Sequence, residues 1–88
     1  MSSHSLIDQV EEVTSLSTFV KFLSELSNDF RQNGSLWENR NLNDFLEALH
    51  DWSDDCVWYY KNMNLSVDPD EAQWRVFADM LLAARVYE

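Results

Sequence analysis

Five carboxylates sit at spacings that let them act together. Asp44, Glu47, Asp51, Asp54 and Asp55 recur at short helical intervals, and Trp58 comes three residues after the last. At about 100° per residue of helix they fall within one sector of about 100°. Such a stripe can bind a hard cation, dock on a positive surface, or simply be solvated. Like charges three and four residues apart repel by a few tenths of a kcal/mol per pair. Trp58 bears on the choice, because water gives no reason for an indole among carboxylates. Aromatic side chains amid charge are frequent anchors at protein interfaces. Trp58 either projects from this face or folds under the loop of residues 62–67. The candidate partner-binding set is therefore Asp44, Glu47, Asp51, Asp54, Asp55 and Trp58.

Other chemistry is weaker. Asp51, Asp54 and Asp55 form a D-x-x-D-D run. Hard cations take oxygen ligands, but a dedicated site needs ligands converging from a second element, and no second cluster must face this one. Glu47 and His50 form a Glu-x-x-His pair. A di-iron bundle needs two such pairs, and the other histidine is His4, near the terminus. Cys56 lies on the apolar side, where a small core residue fits. There is no Gly-x-Ser-x-Gly elbow and no phosphate-cradling glycine loop. No enzyme activity, metal or cofactor is expected.

The totals narrow the class. The chain has 88 residues, 16 acidic against 6 basic, and a formal net charge of −10. Nucleic-acid binding needs clustered Lys and Arg, as does attraction to anionic lipid, so neither direct nucleic-acid binding nor membrane attachment is expected. No apolar run approaches the roughly 20 residues that span a bilayer. The first nine residues lack the basic and apolar regions of a secretory leader. One Cys makes no internal disulfide framework. A cytoplasmic setting is the simplest expectation. Four Trp, three Tyr and five Phe argue against disorder and supply a core. They also crowd so short a chain, which leaves a homodimer open.

The elements that must position the stripe are helices. Ser5 is an N-cap for a short first segment with Leu6, Ile7, Val10 and Val13 apolar. A second helix is expected after Ser17, with Phe19, Phe22, Leu23, Leu26 and Phe30 inward, ending at Gly34 in a left-handed conformation. Trp37 should fold back from the connector as a core plug. The third helix starts at Asn41, with Asp44 completing a capping box. It runs unbroken past Ser53, with Leu42, Phe45, Leu46, Leu49, Trp52, Cys56, Tyr59, Tyr60 and Met63 inward. For the fourth, Asp68 is the expected N-cap, Pro69 the first helical residue and Glu71 the capping-box partner. Trp74, Phe77, Ala78, Leu81 and Ala84 then face in. The loop of residues 62–67 is the main candidate for mobility. The expected fold is all-α: one domain over residues 1–88, a small bundle of three to four helices, with residues 1–16 loosely packed.

Two blocks carry a resemblance. One is Trp37-Glu38-Asn39, Leu42, Phe45-Leu46-Glu47-Ala48-Leu49 and Trp52. The other is Trp74, Phe77-Ala78, Leu81-Leu82, Ala84 and Tyr87-Glu88. With Phe19, Phe22 and Leu26, residues 17–88 resemble a family of short bacterial proteins classed as a domain of unknown function. The resemblance implies a shared aromatic core and carries no activity across. Among its polar members, Glu38 and Asn39 are expected to cap the third helix, and Glu88 to pair with an Arg. The Asn41-Leu42-Asn43-Asp44 run, with Leu46 and Ala48-Leu49, also resembles the barstar group of ribonuclease inhibitors. Those are likewise small and acidic but contain a parallel sheet, and no strand pattern is present here.

The functional expectation is an acidic protein-binding module, in concrete form an immunity protein or antitoxin that sets its carboxylates on a basic, nuclease-like partner. The alternative is an adaptor that binds a larger protein through apolar contacts, its charge serving solubility.

Overall fold

The computed structural model describes residues 5–87. Its helices are α1 (Leu6–Val10), α2 (Leu16–Asn33), α3 (Leu42–Asn62) and α4 (Trp74–Ala84), with a 3₁₀ turn at Gly34–Leu36. No strand occurs among the described residues, so the fold is all-α and the barstar likeness does not extend to architecture.

Local capping sets most helix starts. The Ser5 hydroxyl accepts the Asp8 amide at 3.2 Å. Helix α2 begins slightly earlier than expected. Ser15 is its cap, accepting from the Thr18 amide at 3.3 Å, while the Thr18 hydroxyl accepts from the Ser15 amide at 2.9 Å. Asn41 caps α3, its Oδ1 accepting from the Asp44 amide at 2.8 Å. As expected, α3 is continuous through Ser53–Asp55.

Two expected boundaries are corrected. Gly34 is right-handed, with φ −57°, and leads into the 3₁₀ turn instead of reversing the chain. Its lack of a side chain serves close approach: a Cβ there would lie 3.2 Å from the Phe30 ring. Asp68 does not cap a helix. Its carboxylate accepts from the Asp70 amide and its carbonyl from the Glu71 amide, both at 3.0 Å. These bonds make a turn around Pro69, and α4 starts only at Trp74. Asp-Pro-Asp is as much a turn signature as a helix start. Packing selects between the two, since Leu65 and Val67 lie on the core cluster of Trp52, Cys56, Tyr60 and Val76.

Helix α4 is central. It packs against α1, α2 and α3, while α2 and α3 do not pack on each other. Small residues at Ala78 and Ala84, both fully buried, let neighbours approach closely. A second cluster joins Val10, Val13, Phe22, Leu26, Trp37 and Ala78. Helix α1 is too short to be stable alone, and Val10 and Val13 hold it in this cluster. Trp37 is buried as the expected plug.

The inward face of α3 is narrower than its apolar pattern. Ala48, Trp52, Cys56 and Tyr60, four residues apart, are buried. Leu42, Leu46, Tyr59 and Met63, inward by periodicity, are in fact exposed, Leu42 at 72%. Leu23 and Phe30 on α2, and Trp74 and Phe77 on α4, are likewise at the surface. The physical reason is that α4 is the one helix packed along α3, with Trp37 meeting it only at Phe45 near its N-terminal end. Among the described residues no helix is long and apolar enough to cross a membrane.

Candidate functional site: the outer face of α3

The continuous α3 carries all six candidate residues, and each is exposed. Their surroundings differ. Asp44 serves the helix start, its Oδ2 accepting from Asn41 Nδ2 at 2.8 Å. Glu47 Oε1 receives a long bond, 3.4 Å, from Asn43 Nδ2. Asp51 Oδ1 lies 2.9 Å from His50 Nδ1. That hydrogen bond and the carboxylate charge raise the His50 pKa above its ordinary value. Asp55 Oδ2 accepts the Tyr87 hydroxyl at 2.6 Å, which holds the Tyr87 phenol above its usual range. The arginine ion pairs go elsewhere, Arg75 to Asp79 and Arg85 to Asp29.

Trp58 is 60% exposed. It does not fold under the 62–67 loop, whose Leu65 and Val67 turn to the core instead. Lys61 Nζ stands 5.2 Å from its ring centroid, about one helical turn on. This cation–π contact steadies the indole against the helix. The face is thus a row of carboxylates around one steadied, exposed indole.

No group of three or more His, Cys, Asp or Glu among the described residues is placed to hold a metal. Glu47 and His50 both face solvent. Cys56 is buried, and burial pushes its thiol pKa up, away from the reactive thiolate.

Two polar constellations escaped the sequence reading. Asn39 does not cap α3. Its Nδ2 donates to the carbonyls of Ala84 and Tyr87, both at 2.9 Å, and its amide donates to Arg85 O at 2.9 Å. It closes the C-terminus of α4, 45 residues away, which only the tertiary fold brings near. Replacing Asn39 by Ala should cost about 1–3 kcal/mol, since two side-chain bonds vanish and α4 carbonyls lose donors. Thermal melting monitored by circular dichroism reads this, and an unchanged midpoint would refute the clamp. The second constellation is Tyr60 with Asp79, inside the core. Its signal was available, as Asp79 is the lone acid in the apolar run of α4. Glu38 is exposed, and Glu88 lies outside the described residues.

The resembling motifs therefore read as scaffold: Trp37, Trp52 and Ala84 are core, and Asn39 is a clamp. Comparison with known proteins agrees in label. No curated protein and no solved structure matches the chain. A family model described as "Family of unknown function (DUF7660)" matches residues 15–88, and the chain belongs to that family.

Proposed function

We propose that this chain is a protein-binding module that docks the outer face of α3 on a basic partner. In its concrete form it is an immunity-protein or antitoxin-type inhibitor covering the phosphate-binding cleft of a nuclease. The observation that carries this reading is Trp58, 60% exposed among Asp51, Asp54 and Asp55. An indole loses little conformational entropy on docking, and the exposed part of Trp58 offers on the order of 100–150 Å² of contact area. Carboxylates around it match the cationic lining that a nuclease keeps for its substrate. The overall charge of −10 adds long-range attraction to such a partner.

The test is a pair of variants measured against the captured partner. Asp51→Lys with Asp55→Lys reverses the centre of the face and should weaken binding by at least about 100-fold. Trp58→Ala should weaken it by about 30-fold or more, as for an interface anchor. Both changes are on the surface, so the helical signal should persist. Wild-type affinity in either variant would sink the reading.

A second reading, an adaptor seated through apolar contacts, is favoured by exposed Leu42 and Leu46. Salt separates the two. Raising NaCl from roughly 50 to 500 mM shortens the screening length about threefold. A complex made by the carboxylate face weakens, whereas an apolar one holds.

A further inference from the structure

A shallow cavity of about 290 Å³ opens between the C-terminal part of α2, the connector and the start of α3. Its apolar wall is Phe30, Trp37, Leu42 and Phe45. The Phe30 ring meets Trp37 edge-on, with centroids 5.0 Å apart, and the Phe45 ring lies nearly parallel to the indole at 6.0 Å. Phe30 and Leu42 are exposed and Phe45 is half-buried, so ring and aliphatic surface stays open around the buried indole. Small-molecule pockets start at about 300 Å³, so the cavity takes one ring system with a short side chain. A flat aromatic ring fits best, because rings already set edge-on and face-on offer a further ring both favoured contacts.

Three polar side chains also line the cavity, Asn39, Arg40 and Asn41. Two are committed elsewhere. Asn39 Nδ2 donates to the carbonyls of Ala84 and Tyr87. Asn41 Oδ1 accepts from the Asp44 amide, and its Nδ2 donates to the Asp44 carboxylate. Arg40 is exposed and makes no hydrogen bond or ion pair among the described residues. The cavity therefore offers one free polar side chain, a cation, and no acidic residue lines it. It also lies at the N-terminal end of α3, where the helix dipole is positive. A peptide segment would bring a series of backbone amides, for which these side chains hold no free partner. A ligand with one anionic group and an otherwise apolar body leaves nothing unpaired.

We propose that this cavity binds a small aromatic monocarboxylate, its ring against Phe30, Leu42 and Phe45 and its carboxylate on the Arg40 guanidinium. The guanidinium fork matches a carboxylate in plane, through two parallel N–H···O bonds. The net charge of −10 opposes an anion at long range. At physiological salt that field is screened beyond about 8 Å, and direct contact with Arg40 acts inside that distance. Leu42 and Trp58 lie about 160° apart around α3 and roughly 24 Å apart along it. The site therefore stands apart from the docking of the Trp58 face and needs no partner protein, so the failure of either proposal leaves the other standing.

Titration of the isotope-labelled chain with phenylacetate, followed by NMR with no other protein present, tests it. Phenylacetate should bind with a dissociation constant of about 0.5–5 mM, as expected of so small a ligand. It should move the Trp37 indole N–H signal and the amide signals of Leu42 and Phe45. Phenylacetamide, the same ring without the charge, should bind about fivefold more weakly, the worth of an exposed ion pair. Phenethylamine, with the opposite charge, should bind more weakly again. Arg40→Gln should bring the acid down to the level of the amide and leave the amide unchanged. Leu42→Glu sets a carboxylate in the wall and should abolish binding of the acid, with the helical circular dichroism intact. The proposal is overturned by the absence of a saturable shift below roughly 20 mM, or by shifts centred away from the cavity. It is equally overturned if the amide binds as tightly as the acid, or if Arg40→Gln keeps wild-type affinity for the acid.

Discussion

Trp37→Ala should lower the free energy of unfolding by about 3–5 kcal/mol, the usual cost of removing a buried aromatic ring. For a domain this small that is a large part of the whole. The ring fills the gap between the C-terminal part of α2 and the N-terminal part of α3, against Phe30 and Phe45. The indole Nε1 donates to Asp29 Oδ2 at 2.8 Å, and the Arg85 guanidinium lies 5.9 Å from the ring. Arg85 Nη1 is also 3.6 Å from the same Asp29 oxygen, and its Nε donates to Leu82 O at 2.9 Å. One side chain thus ties three helices at a single point. Trp37→Phe keeps most of the packing but leaves Asp29 short of a donor, so a smaller loss of about 1–2 kcal/mol is expected. Urea denaturation monitored by circular dichroism ranks the two. A loss below about 1 kcal/mol for Trp37→Ala would show that the neighbouring rings collapse into the gap.

Asp79→Ala should cost about 2–4 kcal/mol, because it strands the buried Tyr60 hydroxyl and the buried Nε of Arg75. The Tyr60 hydroxyl donates to Asp79 Oδ2 at 2.5 Å, in the core. Arg75 Nε stands 3.4 Å from that oxygen and, although buried, makes no directed hydrogen bond. It contributes charge rather than geometry. Burial raises the Asp79 carboxyl pKa, and the Tyr60 hydroxyl and Arg75 oppose the rise. Burial and the same carboxylate push the Tyr60 phenol well above its usual range. A folded-state pKa above the unfolded value means that the folded chain holds the proton more tightly. The contribution of Asp79 is therefore complete below the ordinary carboxylate value of 3.8 and is lost as pH rises through the raised value. Asp79→Asn cannot titrate, so its stability relative to wild type should improve between about pH 4 and pH 7. Denaturation midpoints at those two pH values measure this. A constant difference would mean that Tyr60 and Arg75 fully offset the burial.

Much of this architecture is legible in the chain because it is local. Caps at Ser5 and Asn41 act over three residues, and side chain and amide are neighbours whatever the rest does. Helical periodicity marks α2 and α3, and the absence of Gly or Pro keeps α3 whole. The carboxylate stripe is equally legible, since a face is set by spacing once the helix is given. Where two structures share the same local signals, the chain alone is ambiguous. Asp68 bonds the same nearby amides in a turn as at a helix start, and the packing of Leu65 and Val67 selects the turn.

The remaining features belong to the tertiary fold. Leu42, Leu46 and Leu49 share one apolar stretch of α3, yet Leu49 is half-buried and the other two are open. Periodicity shows where a helix is apolar but not how much of that arc a neighbour will cover, and α3 has α4 as its one neighbour helix. Trp58 has two placements open to it by sequence, and Leu65 and Val67 take the inner one. Asn39 looks like a cap for the helix beside it in sequence, but its partners lie at Ala84 and Tyr87. By itself, then, the sequence determined helix content, most boundaries and the charged face, all governed by interactions within a few residues. Which apolar edges stay open, and which polar groups meet inside, was decided by how α4 inserts between its neighbours, a long-range outcome of packing.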